Sequence, residues 1–201
     1  VVYIQLGHDD GAYSSPQYRG LVSRAIRWVA RRSPDDEGFS PIFNGKDLSG
    51  WKAEGKARFS VEDGMIVGRQ GPRGEAGDLF TEAEHGDFEL EAAWRMDFPG
   101  NSGVWFRYQG PEKAYQADIL EWKEPVCWSG TVYCPGKMFL SMNTDPSIVR
   151  RDGWNTFLVR AVKDHIQVFL NGRKVSDARD ASSSRGRIGF QVHAGADFGK
   201  M

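Results

Sequence analysis

The sequence predicts an all-β protein, a β-sandwich of the jelly-roll type, preceded by a short strand and helix. From residue 39 onward, apolar and polar residues alternate over short segments, as in half-buried strands. Turn signals separate these segments, among them Asp63-Gly64 and Asn171-Gly172. No segment after residue 32 has helical spacing, and a chain of many short strands and turns is typical of sandwiches and barrels.

Residues 1–32 differ from the rest of the chain. VVYIQL reads as a strand buried on both faces, and residues 17–32 have helical spacing with an apolar stripe that includes Ile26 and Trp28. One strand and one helix cannot bury both apolar surfaces alone. We therefore expect residues 1–32 to be the C-terminal fragment of an α/β domain and to require a partner domain or chain.

A linker and a second domain follow in the predicted organisation. Residues 33–38 have the Pro, Ser, Asp and Gly content of a linker, and residues 39–201 carry the strand pattern. Within them, Trp51 is a predicted core residue, and Asp63-Gly64 closes a hairpin. The segment 88–96 alternates apolar residues with polar ones, as in a strand with one buried face.

The C-terminal half is predicted to contain a long irregular region and then further strands. Residues 123–153 show no clean period and are predicted to be long loops. Strands are predicted on both sides of Lys163-Asp164, and Asn171-Gly172 closes another hairpin. The last strand, near residues 186–195, places Gln191 and His193 on its polar side. A count of up-and-down strands leaves the closing strand of the sandwich unaccounted for, so we expect the sequence to end before it.

The amino-acid composition limits the classes of partner and site that this chain is expected to have. The formal net charge of -1 gives no reason to expect nucleic acid or an anionic membrane as partner. No apolar run approaches the roughly 18 residues that span a bilayer. Cys127 and Cys134 have no CxxC motif or His cluster beside them, so no metal site is expected. Two free thiols and a disulfide across a turn both remain open.

The most informative stretch is residues 101–121, NSGVWFRYQGPEKAYQADILE, which reads as two strands joined by a Gly-Pro turn. Successive strand side chains point to opposite faces. One predicted face carries apolar residues, among them Val104, Phe106 and Tyr108, and the other carries amide, indole, guanidinium and carboxylate groups. The members of this polar face are Asn101, Trp105, Arg107, Gln116 and Asp118. Such a face is a plausible sugar-binding surface.

Several motifs, taken together, resemble the 3-keto-disaccharide hydrolase family. They are FNGKDLSGW, GDFELEAAWR, NSGVWFR, AYQADI, WN…VFLNG and GRIGFQVH, in that order over residues 39–198. The resemblance implies a concanavalin-like fold and cleavage of glycosides that carry a ketone at sugar C3. Family members commonly read Tyr-Glu-x-Gln before two aliphatic residues and Asp, so the carboxylate positions are shuffled in this chain. Residues 1–32 resemble the end of the trehalose-utilisation (ThuA-like) family.

The chemistry that the resemblance implies assigns roles to the polar face. A 3-keto group makes the C2 proton acidic, so a base can remove it while the C1 leaving group departs, and water can then add back. Asp118 is the candidate base, and Arg107 with Asn101 would stabilise the enolate. His193 would act as acid at the leaving oxygen. This chemistry needs no cofactor, and none is predicted.

The remaining candidates bind substrate. Trp105 and Trp128 would stack on sugar rings, and Gln116 and Gln191 would bind hydroxyl groups. Glu121 has the parity of the core side unless a bulge intervenes. At the strand end, two alternatives stay open for it: an ion pair with Lys123, or a place in the site at its rim.

Two alternatives to a carbohydrate-active enzyme stay open. A non-catalytic carbohydrate-binding module of a multidomain protein can present the same groups, because fold does not decide function. An interaction domain of a larger protein is the third possibility. We expect a periplasmic or extracellular rather than a cytoplasmic location.

Overall fold

The computed structural model describes residues 38–195, and residues 44–195 lie within one compact unit. The strand and helix predicted within residues 1–32, and most of the predicted linker, lie outside the described residues. The domain boundaries proposed there stay predictions. Among the described residues, no helix has the length and apolar character needed to cross a membrane.

The described part of the chain contains thirteen strands and one short 3-10 helix at Pro146–Ile148. The strands are β1 Trp51–Gly55, β2 Arg58–Glu62, β3 Met65–Arg69, β4 Gly77–His85, β5 Phe88–Trp94, β6 Asn101–Gly110, β7 Lys113–Lys123, β8 Val126–Cys134, β9 Met138–Asn143, β10 Asn155–Val162, β11 His165–Leu170, β12 Arg173–Arg179 and β13 Gly186–Val192.

Two antiparallel sheets form the predicted jelly-roll sandwich. The larger has seven strands in the order β1-β4-β13-β6-β7-β8-β9, the smaller has four in the order β12-β11-β10-β5, and β2 and β3 form a separate hairpin. The main core draws on both sheets, with Val104 and Ile119 from the larger and Phe157 and Val168 from the smaller. Burial of these apolar faces against each other is the main force that holds the sheets together.

The predicted hairpins and the buried face of β5 are confirmed. β2 and β3 meet around Asp63-Gly64, and β11 and β12 meet around Asn171-Gly172, with a left-handed backbone at all four residues. This conformation is the one that a two-residue hairpin turn requires. In β5, Leu90 and Trp94 are buried while Glu89 and Glu91 are exposed.

The prediction of long loops over residues 123–153 is wrong, because β8 and β9 lie there. Two features of β8 hide its period. Gly130 has φ 93, and a Cβ there would lie 2.5 Å from the side chain of Val175 in the facing sheet. Its neighbours Ser129 and Thr131 are buried, and their hydroxyls accept hydrogen bonds from backbone N–H groups. Polar residues therefore occupy positions at which a strand pattern would show apolar ones.

The side assignment of Arg107 and Tyr108 in β6 is also wrong. Val104 and Phe106 lie in the core as predicted, but Arg107 has φ 50 and the pairing register shifts between Phe106 and Gly110. This irregularity exchanges the faces of the sheet to which the side chains of Arg107 and Tyr108 point. Tyr108 therefore lies on the sheet face away from the core, where its ring stacks on Phe80 with centroids 4.1 Å apart.

The structure decides between the two alternatives left open for the cysteines. Cys127 lies directly opposite Trp122, on the face away from the core, whereas Cys134 belongs to the core between the sheets. Both are buried free thiols. Because they point to opposite sides of one strand, no disulfide joins them.

Candidate functional site

The candidate site lies on the outer face, by which we mean the side of the seven-stranded sheet that turns away from the core. A polar row crosses this face from strand to strand. Its members, each opposite the next, are Glu54, Asp78, Gln191, Gly103 and Asp118. Directly paired residues share a face of the sheet. The pairing therefore places Asp118 and Gln191 on one surface, as predicted.

Asp118 is the most unusual member of the polar row. It is only 3% exposed, and no cationic side chain pairs with it within the described part of the chain. Burial raises the pKa of Asp118 well above its ordinary value. When the Gln116 amide is oriented to suit its neighbours, its nitrogen donates to Asp118 Oδ1 at 2.7 Å. A carboxyl with a raised pKa and one amide partner is suited to exchanging a proton.

Gly103 makes room for this contact. A Cβ at position 103 would lie 2.5 Å from Cγ of Gln116, so the amide side chain of Gln116 occupies the space above the glycine. Trp105 continues the contacts on the far side of Gln116. Its Nε1 lies 3.3 Å from the amide oxygen of Gln116 and donates to Asp78 Oδ1 at 2.8 Å. A continuous chain of polar contacts through the Gln116 amide and the Trp105 indole therefore connects Asp118 with Asp78.

Asp78 is a site residue that the sequence analysis missed. Burial, and to a lesser degree the negative charge of Glu54, raise its pKa, while the hydrogen bond from Trp105 and the charge of His193 act in the opposite direction. The sequence analysis assigned no strand of its own to the segment GDLFTEAEH. The alternation of Asp78 and Phe80 with Leu79 was the available signal, because it places the carboxyl on the polar side of β4.

His193 and Asn101 lie beside the polar row. Val192 pairs with Ser102, so the next residue, His193, comes level with Asn101 on the neighbouring strand. Asn101 pairs in turn with Leu120, two residues from Asp118 and on the same face. Nδ1 of His193 lies 2.8 Å from the carbonyl oxygen of Ala194. The predicted grouping of Asn101, Asp118 and His193 on one face therefore agrees with the strand register.

Arg107 does not join this group, so its predicted placement on the polar face is wrong. Its side chain is fully buried. The guanidinium donates to the carbonyl oxygens of Gly86, Lys163 and Ser183 at 2.9, 2.6 and 3.3 Å, and to Asp87 Oδ1 at 3.0 Å. The left-handed backbone at Arg107 turns the side chain away from the outer face. Arg107 therefore connects three loops through its hydrogen bonds, and its guanidinium does not lie beside Asp118.

Trp128 and Glu121 also lie away from Asp118. They are directly opposite each other, on the side of the sheet that faces the core. Glu121 forms an ion pair with Arg151, whose guanidinium lies 5.4 Å from the ring centroid of Phe98 at the edge of the core. The predicted contribution of Trp128 and Glu121 to a sugar-binding face at Asp118 therefore has no geometric support.

A row of aromatic rings on the outer face takes the place predicted for Trp128. Ring centroids are 6.2 Å apart for Trp105 and Tyr133, 6.4 Å for Tyr133 and Phe139, and 6.5 Å for Phe139 and Trp122. We call these four residues the aromatic row. The sequence analysis missed Tyr133 and Phe139 because they lie in the region predicted to be loops.

The buried state of Asp118 predicts a specific dependence of stability on pH. Its folded-state pKa is raised, so the folded protein holds a proton that the unfolded chain releases above about pH 4. The free energy of unfolding should therefore decrease as pH rises from about 4 towards the raised pKa. Asp118→Asn should remove this part of the decrease.

Urea unfolding of both proteins between pH 4 and 9 tests the prediction. The variant should gain stability relative to the parent as pH rises, and other titrating groups cancel in the difference. A difference that does not change with pH would contradict a raised pKa of Asp118 in the folded protein.

Metal ligands were not predicted. Within residues 38–195, no group of three or more His, Cys, Asp or Glu side chains is arranged to hold a metal ion. The absence of a metal and of a cofactor stays a prediction.

Comparison with known families adds to this geometry. A family model described as the 3-keto-alpha-glucoside-1,2-lyase-like domain matches residues 38–200. The chain belongs to this family. The family resemblance predicted from the motifs of residues 39–198 is thereby confirmed, whereas the ThuA-like resemblance of residues 1–32 is not shown.

A curated relative of this lyase-like domain is a 3-keto-disaccharide hydrolase from Bacteroides thetaiotaomicron. The two are 36% identical over 84 residues, which is 37% of this chain and 29% of the relative. The chain thus matches less than a third of that protein's length.

Solved structures with the same fold include a candidate glycosyl hydrolase from Parabacteroides distasonis, with a TM-score of 0.61 and 23% identity over 80% of this chain and 90% of that one. The carbohydrate binding module CBM66 from Bacillus subtilis has a TM-score of 0.54 and 19% identity over 76% and 92% of the two chains. At these identities the likeness shows the sandwich fold of the lyase-like domain.

Proposed function

We propose that this chain cleaves 3-keto-glycosides by removing the proton at C2, with Asp118 as the base. The observation that carries the proposal is the buried carboxyl of Asp118 beside the Gln116 amide, on a face shared with Asn101, Gln191 and His193. The family membership supports the substrate class, since the curated relative is a 3-keto-disaccharide hydrolase.

The proposed reaction uses the ketone as the electron acceptor. Asp118 takes the C2 proton, and the C2–H electron pair forms an enolate whose charge lies on the C3 oxygen. The enolate re-forms the ketone as the C1–O bond breaks, which leaves a C1–C2 double bond and places the electron pair on the leaving oxygen. A proton from the acid completes the leaving group. Water can then add at C1, with return of a proton to C2, to give the hydrolysis product.

Three side chains around Asp118 take the other roles. Gln116 holds Asp118 in place through the contact at 2.7 Å. Gln191, opposite Gly103 in the polar row, donates to the C3 oxygen in place of the guanidinium that Arg107 does not supply. His193 is the acid at the leaving oxygen, because it comes level with Asn101 at the side of Asp118.

The proposal is tested with the unaltered chain and two nitrophenyl glucosides, one with a ketone at C3 and one with the ordinary hydroxyl. We expect release of nitrophenol from the 3-keto compound alone, because only the ketone makes the C2 proton acidic. The sugar product, either an unsaturated ketone or 3-keto-glucose, reports whether water adds back. Binding of the 3-keto compound without release of nitrophenol would contradict the proposal.

A non-catalytic carbohydrate-binding module is the second candidate. It is favoured by the low exposure of Asp118 and Trp105, 3% and 8%, and by the fold shared with the CBM66 module. In this case both glucosides should bind with similar affinity, since no step depends on the ketone. The periplasmic or extracellular location also remains a proposal.

A further inference from the structure

We propose that Trp105 is a positioning residue for the base rather than a ring that stacks on sugar. Its Nε1–H, held by Asp78, turns the amide of Gln116 so that the amide nitrogen donates to Asp118. The inference rests on the proposed function, because it takes Asp118 as the base. It gives Trp105 a role that requires no contact with the substrate.

The indole of Trp105 is enclosed and held in place. The residue is 8% exposed, and the rings of Tyr108 and Tyr133 meet it in T-shaped arrangements with centroids 5.7 and 6.2 Å away. Oδ1 of Asp78 accepts the hydrogen bond from Nε1 at 2.8 Å. A ring with so little exposed surface is poorly suited to stacking on a sugar, whereas its N–H has a fixed position.

The position of that N–H decides which end of the Gln116 amide faces which neighbour. The amide of Gln116 lies between Nε1 of Trp105, at 3.3 Å, and Oδ1 of Asp118, at 2.7 Å. An indole N–H only donates, so the amide oxygen must face Trp105 and the amide nitrogen must face Asp118. The reverse orientation would set two donors against each other in a buried site, which destabilises it.

Neither Gln191 nor Asp118 fixes this orientation by itself. The side-chain amide of Gln191 lies 3.3 Å from the same Gln116 oxygen, but it can present either its oxygen or its nitrogen. Asp118 accepts from the amide nitrogen when it is ionised and donates to the amide oxygen when it is protonated, so it allows both orientations. Trp105 is therefore the neighbour that sets the orientation.

The orientation matters for the base because an N–H donor stabilises the ionised form of a carboxyl. Burial raises the pKa of Asp118, and a donor held towards it acts in the opposite direction. The titratable groups around it are the Cys127 thiol and the Tyr133 hydroxyl on β8, whose pKa values burial also raises, and His193 beyond β13. The two groups on β8 stay neutral at neutral pH, so the Gln116 donor is the contact that favours the carboxylate.

The test measures the pKa of Asp118 by carboxyl-carbon NMR of the substrate-free protein, with Asp118→Asn to assign the signal. Trp105→Phe keeps an aromatic ring and removes the N–H, so the Gln116 amide is free to turn. We expect the pKa of Asp118 to rise by about one pH unit or more, the contribution of a hydrogen bond to a charged group. The acidic limb of the kcat/KM profile for the 3-keto nitrophenyl glucoside should move in the same direction.

Gln116→Met tests whether Trp105 acts through Gln116. Methionine has a similar length but donates no hydrogen bond, so it should raise the pKa of Asp118 by itself. Adding Trp105→Phe to this variant should then have no further effect. A measurement on the unaltered chain needs no substitution: a side-chain N–H signal of Gln116 should shift with the same midpoint as the Asp118 carboxyl.

Trp94→Phe is the matched control. Trp94 is a buried indole of the core, 3% exposed, and its Nε1 has no hydrogen-bond partner within the described residues. The same substitution there should leave the pKa of Asp118 unchanged.

Three outcomes would overturn the inference: an unchanged pKa of Asp118 in Trp105→Phe, a further rise when Trp105→Phe is added to Gln116→Met, or a Gln116 signal that does not follow Asp118. None of these measurements needs turnover, so they are separate from the test of the proposed function. Absence of turnover by the parent, together with the expected rise in Trp105→Phe, would refute the catalytic proposal and leave the positioning of Gln116 by Trp105 standing.

Discussion

Asp118→Asn is expected to lower kcat/KM for a 3-keto-glycoside by about 10²- to 10⁴-fold, the usual contribution of a general base. The amide has nearly the shape of the carboxyl that it replaces, but it cannot accept the C2 proton. Its oxygen can still accept the hydrogen bond from Gln116, which lies 2.7 Å from Asp118 Oδ1. The fold and the sugar-binding surface should therefore remain intact.

Turnover and binding must be measured on the same preparation to test this prediction. We expect the affinity for the 3-keto-glycoside to change by no more than a few fold, while release of the leaving group nearly disappears. Asp177→Asn is the control, because Asp177 is an exposed carboxylate on β12 of the other sheet, bonded to Lys174 and Gln167. It should keep full activity. An Asp118→Asn protein with normal kcat/KM would exclude Asp118 as the base.

Arg107→Met is expected to lower the free energy of unfolding by about 3–5 kcal/mol. Methionine fills part of the same space but donates no hydrogen bond. The carbonyl oxygens of Gly86, Lys163 and Ser183 would lose a charged donor, and Asp87 would lose its cation. Buried acceptors without a hydrogen-bond donor destabilise the folded state. The decrease in the free energy of unfolding should therefore be much larger than the decrease caused by removing a surface ion pair.

Arg160→Met is the matched control. Arg160 pairs with Glu89 at 3.1 Å, with side chains 53% and 44% exposed, and such a pair contributes about 1 kcal/mol or less. Urea unfolding of both variants and the parent gives the comparison. If Arg107→Met unfolded like the parent but had lost turnover, a catalytic rather than a structural role for Arg107 would follow.

The sequence was most informative where strands are regular. Alternation in β5, the Asp63-Gly64 and Asn171-Gly172 turns, and the placement of Trp105, Gln116 and Asp118 on one face all follow from the period of a strand. The same reasoning failed in β8, where buried Ser129 and Thr131 bind backbone groups and interrupt the pattern. It therefore also missed Tyr133 and Phe139, which β8 and β9 place on the outer face.

By itself, the sequence determined the sandwich fold, the family and the surface that carries Asp118, because these depend on local periodicity and on motifs in order. Only the tertiary structure decided which side chains meet there. The left-handed backbone at Arg107 put the side chains of Arg107 and Tyr108 on the faces opposite to those that strand alternation predicts. Pairing between strands that are distant in the sequence brought Asp78 next to Trp105. Such contacts depend on register across the sheet, which residues near each other in the chain do not encode.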